Sequence, residues 1–286
     1  MADRMRQKIS GDGNIVSGSG DITINTLQIN NSPKEVVRPP LAHEPTLCTI
    51  PGGPFLMGTA ATTAVPPWEA PQHQVDLPEF AISQTPITNS QYQAFIQANT
   101  QAPPKHWSLN QVPPGLEEHP ITQVSWQDAL AYCQWLSQQS GRFYRLPTEA
   151  EWEKAARSSD GRTYPWGRAW QEGYCNCNGP GTTPVTAFPN GASPYACLDM
   201  LGNVREWTST IWGASPAKPD FPYPYQHDGR ETVAPTMGPV YRVFRGGCYR
   251  DQASQLRCTM RGFAAENSRV DWCGFRIVME GQACPV

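Results

Sequence analysis

The sequence predicts an α+β fold, loop-rich, with small sheets and about three helices. Glycine (24) and proline (29) together make up about a fifth of the 286 residues, against roughly 12% in an average globular chain. Both residue types interrupt helices and strands. Ten tryptophans accompany them, and disordered chains are poor in aromatics, so the loops are expected to be pinned to a core by large rings. Only three segments carry full helix-start signals; the other ordered stretches read as short strands.

Residues 1–45 differ from the rest. ISGDGNIVSGSGDITINTLQINN alternates turn residues with short β-branched pairs, and KEVVRPPLAHEP is a proline-bearing linker. This stretch reads as a flexible or weakly β arm, a candidate for assembly or docking. Residues 46–286 read as one domain. Thr88 followed by Gln91 forms a capping box ahead of Tyr92, Phe95 and Ile96, which share a helical face. Ser125 with Asp128 opens a second helix through Ala129, Cys133 and Leu136, closed by Gly141. Thr148 with Glu151 opens a third, carrying Trp152, Ala155 and Ala156. Glu149, Glu151 and Glu153 are expected to favour its N-terminal dipole. Beyond about residue 160 the chain reads as loops and short strands, of which YRVFRG and GFRIVME are the best.

Charge and cysteine usage exclude several classes. Net charge is −3, with 16% charged residues, so no basic field is available for nucleic-acid phosphates or anionic lipid. No apolar run approaches the roughly 18 residues of a membrane span. The N-terminal stretch MADRMRQKISGDGN lacks the apolar centre of a secretory signal. The nine cysteines are odd in number, so free thiols in a reducing compartment, and a cytoplasmic location, are the expectation. Cys175 and Cys177 are the only tight pair and have no second pair or spaced histidines to complete a zinc site.

Seven stretches resemble, in order, the motifs of one family. They are PGGPFLMGT (51–59), EFAISQTPITNSQYQAF (79–95), HPITQVSWQDALAYCQWLSQQSGRFYRLPTEAEWEKAAR (119–157), YPWG (164–167), DMLGNVREWT (199–208), FRGG (244–247) and GFRIV (274–278). The family is the formylglycine-generating-enzyme/sulfatase-modifying-factor domain, and the resemblance covers about residues 46–280. It implies a variant of the C-type-lectin fold. It also implies one of three uses: copper-dependent oxidation of a sulfatase cysteine, iron-dependent C–S bond formation, or non-catalytic ligand binding, as in the variable proteins of diversity-generating retroelements. Fold alone does not choose among them.

The residues argue against both enzymes. The copper enzymes of the family carry two closely spaced cysteines after Arg-Gly-Gly, since soft Cu(I) prefers thiolates. Here the loop reads RGGCYRDQASQLRCTMRG, and Cys248 and Cys258 stand ten positions apart. The iron enzymes need three clustered histidines, whereas His43, His73, His106, His119 and His227 are scattered; His119 reads as a scaffold residue. Neither copper nor iron is expected, and no catalytic residue is assigned. DMLGNVREW resembles the family's calcium loop, which implies a structural calcium held by the carboxylates of Asp199 and Glu206 and the carbonyls of Gly202 and Val204. The competing reading pairs Glu206 with an arginine such as Arg205 or Arg261.

Residues 248–273 match the variable region of the retroelement-diversified proteins in length and flanks. Those regions vary at adenines of asparagine codons, which can give Gly, Ala, Val, Phe, Ser, Asp, Tyr or Cys. Gly262, Phe263, Ala264, Ala265, Ser268, Val270 and Asp271 fall in that set, while Gln252, Gln255, Glu266 and Trp272 do not. With Tyr249, Arg250, Asp251, Ser254 and Trp272 these residues form the candidate ligand-binding surface, mixing rigid aromatic area with short polar groups as paratopes do. The expectation is one exposed patch, free of helical or strand period, anchored by Arg257 and Arg261 to carboxylates such as Glu206. Its ligand is an unidentified protein, peptide or small molecule.

Overall fold

The protein is described by a computed structural model over residues 41–234 and 238–280. These residues belong to one compact unit that begins at Arg38. Most of the N-terminal arm therefore lies outside the described residues. Of its linker, Glu44 is tied to the domain, accepting from Arg142 and from the Tyr144 hydroxyl, each at 2.7 Å.

The three helices form where their caps place them: α1 (Asn89–Ala98), α2 (Trp126–Ser140) and α3 (Glu149–Arg157). Each has a reciprocal capping box, from Thr88, Ser125 and Thr148 respectively, and such a cap typically contributes about 1 kcal/mol. Gly141 closes α2 in the left-handed conformation at φ 73°, which costs glycine little.

The strands are β1 (Leu47–Ile50), β2 (Gly53–Met57), β3 (His73–Leu77), β4 (Phe80–Ser83), β5 (Tyr144–Arg145), β6 (Arg205–Gly213), β7 (Tyr241–Arg245), β8 (Arg261–Ala265), β9 (Cys273–Phe275) and β10 (Val278–Met279). They make a hairpin, β2-β3, and two four-stranded sheets of order β1-β4-β10-β5 and β8-β7-β6-β9. In the second sheet β9 runs parallel to β6 and the other pairings are antiparallel.

Two sequence expectations are corrected here. GFRIVME is not one strand: it splits into β9 and β10, which join different sheets. Arg276, between them, is fully buried and reaches carbonyl oxygens of Ser83, Gln84 and Leu198. Nor does the chain after residue 160 hold only short strands, because β6 runs nine residues with all but the first buried. Its run EWTSTIW is threonine- and tryptophan-rich and suits a strand covered on both faces, which shows no alternation to read.

The β8-β7-β6-β9 sheet is packed on both sides. On one face Trp207, Phe244 and Phe275 join an aromatic core with Tyr92, Phe95, Tyr132 and Trp135. On the other, Trp152 of α3 donates its indole N–H to Glu206 at 2.6 Å. Alternation along the strands therefore sends neighbouring residues of the C-terminal segment to opposite layers.

Candidate functional site

Residues 248–273 leave β7 through Gly246–Gly247, form β8, and return into β9. Scaffold groups fasten this path at four points. Arg205 meets Asp251 at 2.7 Å, Arg257 meets Glu69, Arg261 makes a two-point contact with Glu149 at 2.7 and 2.8 Å, and Arg269 meets Asp128 at 2.8 Å. Arg257 and Arg261 do anchor the segment to acidic groups, but to Glu69 and Glu149 rather than Glu206. Glu149 and Glu153 accordingly serve less as dipole partners of α3 than as buried counter-ions: Glu153 is paired to Arg157 and to Arg245. Only Glu151 does the capping work expected of it.

Backbone bonds add to this frame. Asn178 and Gly179 donate to the carbonyls of Asp251 and Tyr249, and Tyr249 donates to the Asn203 carbonyl. Gln123 and Trp126 donate to the carbonyls of Val270 and Glu266. The last two explain the HPITQVSW stretch: it is the rail on which the end of the segment lies. His119, in the same stretch, bonds the Thr182 hydroxyl at 2.9 Å through Nδ1, as a scaffold histidine does.

The twelve candidate residues do not form one exposed patch. Tyr249 and Asp251 are buried, at 6% and 7% exposure; Asp251 is committed to Arg205 and to the Cys248 amide. Arg250, Ser254 and Asp271 are exposed, and Gly262, Phe263, Ala264, Ala265, Ser268, Val270 and Trp272 are half-buried. Residues 262–265 also have a strand period after all, since β8 pairs with β7 in continuous register from Arg261↔Arg245 to Ala265↔Tyr241. The sequence hides it because small residues occupy three of the four positions.

Two groups result, one on each face of the sheet. In the first, the Arg205 guanidinium lies between the rings of Phe244 and Trp272, 4.9 and 4.8 Å from their centroids. Arg250 reaches across to Asp271 and stacks over Tyr249, while Ala264, Val270 and Trp272 pack on the aromatic core. In the second, Phe263 stacks on Trp212 at 4.4 Å and meets Tyr241 edge-on at 5.8 Å. Gly262 is a packing residue: a Cβ there would lie 2.1 Å from the Phe244 ring. Sequence reasoning missed Arg205 and Trp212 as parts of these groups. The signal available was the i, i+2 pair Arg205/Trp207, which sets the arginine on the Phe244 face.

The four residues expected to hold calcium do not fit it as a set. Both Glu206 oxygens accept from Arg276, at 2.6 and 2.8 Å, and one also accepts from Trp152. The arginine partner of Glu206 is thus Arg276, which neutralises it, instead of Arg205 or Arg261. Gly202 packs tightly against the Asn176 backbone and donates to the Gly246 carbonyl, and Val204 is fully buried. Asp199 alone remains without a cationic hydrogen-bond partner, accepting from Asn203 at 2.8 Å. Burial lifts its carboxyl to about 7.

The copper and iron sets do not fit either. Cys248 lies beside Asp251 and Arg205, and Cys258 beside Glu153, Arg157 and Arg245. Burial pushes the Cys258 thiol up to about 12 and raises Cys248 as well. His43 stacks on Trp135, His73 contacts Tyr223, and His106 sits beside Trp107. Among the described residues, no group of three or more His, Cys, Asp or Glu side chains could hold a metal ion, and no helix is long and apolar enough to cross a membrane.

Small sheets, three capped helices, long ordered loops and an arginine-fastened C-terminal segment define a C-type-lectin-like domain of the formylglycine-generating type. Residues 33–281 match the sulfatase-modifying factor enzyme 1-like domain, and the chain belongs to that family. It is similar to the serine/threonine-protein kinase pkn1 of Chlamydia caviae, at 34% identity over 80% of this chain and 37% of that protein. Hercynine oxygenase of Mycolicibacterium smegmatis is 30% identical over 82% of this chain and 61% of its own length. The chain therefore spans less than two thirds of both. Inactive C-alpha-formylglycine-generating enzyme 2 of Mus musculus is 30% identical over 82% of this chain and 86% of its own. Among solved structures, PvdO from Pseudomonas aeruginosa superposes with a TM-score of 0.67 at 26% identity, over 84% of this chain and 96% of that one. Treponema denticola variable protein 1 superposes with 0.63 at 22%, over 82% and 94%, and shares the fold.

Proposed function

We propose that this protein is a non-catalytic ligand-binding domain whose segment 248–273 presents the binding surface. The observation that carries the reading is the division of labour along that segment. Fixed arginines and backbone bonds hold its path, and the side chains between them, Arg250, Ser254, Ser268 and Asp271, are exposed or half-exposed without a structural duty of comparable weight, with the open part of Trp272 beside them. A surface of that design can change its side chains without losing its frame, which is what retroelement diversification requires. The relatives include oxygenase, kinase and inactive proteins, so kinship does not select an activity.

Two experiments test the reading. Sequencing around the coding region should reveal a reverse transcriptase and a near-copy of codons 248–273; finding neither removes diversification. Loaded with Cu(I), the full chain should leave a sulfatase-type cysteine peptide unchanged by mass spectrometry, because Cys248 and Cys258 are buried among different neighbours. Copper-dependent formylglycine would establish the enzyme instead. A structural calcium held by Asp199 and Glu206 together would need Arg276 displaced from Glu206, and is not part of the proposal.

A further inference from the structure

A cleft of about 840 Å³ opens between the second half of α2, β5 and the residues around Ser209 and Glu231. Ligand pockets typically measure roughly 300–1,000 Å³. Its walls include Leu130, Phe143, Leu146 and Val233. Phe143 and Val233 are 58% and 54% exposed, and they are two of only four large hydrophobic residues left exposed among the described residues. Apolar side chains that meet at one opening mark a binding site more than scattered ones do.

The charge of the cleft is equally particular. Glu231 lines it beside Ser209 and Thr148. Its carboxylate accepts from three hydroxyls, those of Ser209, Thr210 and Tyr225, and forms no ion pair among the described residues. A carboxylate offers about four acceptor positions, so one stays open, and all three donors are neutral. Arg242, whose guanidinium feels the Glu231 charge through space, lies over Trp126, donates to the carbonyls of Ser209 and Thr232 and is paired with Glu266. The other charged residues of the lining, Arg145 and Glu280, are paired with each other, and Arg145 also with Glu151. Burying a carboxylate without a counter-ion is costly; a bound cation would remove that cost.

We infer that this cleft binds a small amphiphilic amine, its apolar body against Phe143, Leu130, Leu146 and Val233 and its primary ammonium on Glu231. The site is independent of segment 248–273.

Calorimetric titration of the full chain at neutral pH tests it with three probes of one shape: 4-phenylbutylamine, the neutral 4-phenylbutan-1-ol and the anionic 4-phenylbutyrate. The amine is expected to bind one to one and at least tenfold more tightly than the alcohol, and the carboxylate not at all. Glu231→Gln should abolish the tenfold preference while leaving the alcohol unchanged. Val233→Lys, at an exposed position that folding does not depend on, should weaken the amine at least tenfold and the alcohol less than threefold, which keeps the test valid if Glu231→Gln does not fold. Equal binding of amine and alcohol, no binding of the amine, or indifference to Val233→Lys overturns the inference. So does loss of amine binding in Trp272→Ala, which would place the amine on the display surface.

Discussion

Replacing residues of the C-terminal segment one at a time, beside a core tryptophan of the same sheet, separates a display surface from a core. Trp207 is fully buried, opposes Phe244 and Phe275 in the register, and donates to the Val124 carbonyl at 3.1 Å. Truncating such a residue costs ~3–5 kcal/mol. Trp272 is half-buried; it has one edge-on contact with Phe244 at 5.5 Å and one with the Arg205 cation. Contacts of these kinds contribute about 0.5–1.5 and 0.5–1 kcal/mol, so with the part of its area that it buries on the core Trp272→Ala should cost about 1–3 kcal/mol. Phe263→Ala, which loses the Trp212 stack, belongs in the same range. Asp271 pairs with Arg250 across solvent, both about half exposed, and Asp271→Ala should stay within about 0.5 kcal/mol. At ~2–4 °C per kcal/mol, the melting temperatures should order as Asp271→Ala, then Phe263→Ala and Trp272→Ala, then Trp207→Ala lowest by several degrees. Urea unfolding midpoints, with the slope checked for constancy, give the same ranking free of scan-rate effects. If the three segment variants fall as far as Trp207→Ala, the segment is core and the display reading fails.

Arg276→Met leaves Glu206 buried and unpaired and should cost ~3–5 kcal/mol, with Glu206→Gln in the same chain recovering part of the loss in a double-mutant cycle; additivity would mean that the pair does not couple. Because burial raises the Asp199 carboxyl to about 7, the folded state holds that proton to higher pH than the unfolded one. Its contribution is present at acid pH and is lost as pH rises from about 4 through 7. Asp199→Asn should therefore be the more stable form at pH 8 and show a flatter pH profile, with no response of either protein to a calcium chelator. A chelator-dependent fall in melting temperature that Asp199→Asn abolishes would establish calcium there. Gly262→Ala drives a methyl into the Phe244 ring and should cost ~1–3 kcal/mol; a neutral result would show that β8 moves freely from β7.

The helices were legible because capping is local: Thr88, Ser125 and Thr148 each find their partner three residues on. The strands were legible only in part. β6 is covered on both faces and lacks alternation, and β8 is built of Gly and Ala beside one Phe, so neither announces itself. The anchoring arginines could be named from sequence, but their partners could not. Arg261 and Glu149 stand 112 positions apart and Arg257 and Glu69 stand 188 apart, and nothing in a single chain couples such positions before the fold does. The same limit explains Glu206, whose arginine lies 70 positions on, directly after β9.

Those distant ion pairs also decide which positions of the segment are free. Alternation on β8 commits Arg261 to Glu149 and sets Phe263 on Trp212, while Gly262 is fixed by the ring it admits. Tyr249 and Asp251 are fixed by burial. What remains is narrower than the span of codons: Arg250, Gln252, Ser254, Gln255, Asn267 and Asp271, exposed and separate from the anchors, with Ser268 and Trp272 half-covered beside them. Diversity confined to these positions would alter the ligand surface at little cost in stability, because a surface change typically stays within about 0.5 kcal/mol. Diversity at Gly262 or Asp251 would spend stability for no exposed gain. Related copies of the gene, compared codon by codon, should therefore vary at 250, 252, 254, 255, 267, 268, 271 and 272 and hold 251, 257, 261, 262 and 269 constant. Equal variation at the anchors would mean that the ion pairs are not what keeps the segment in place.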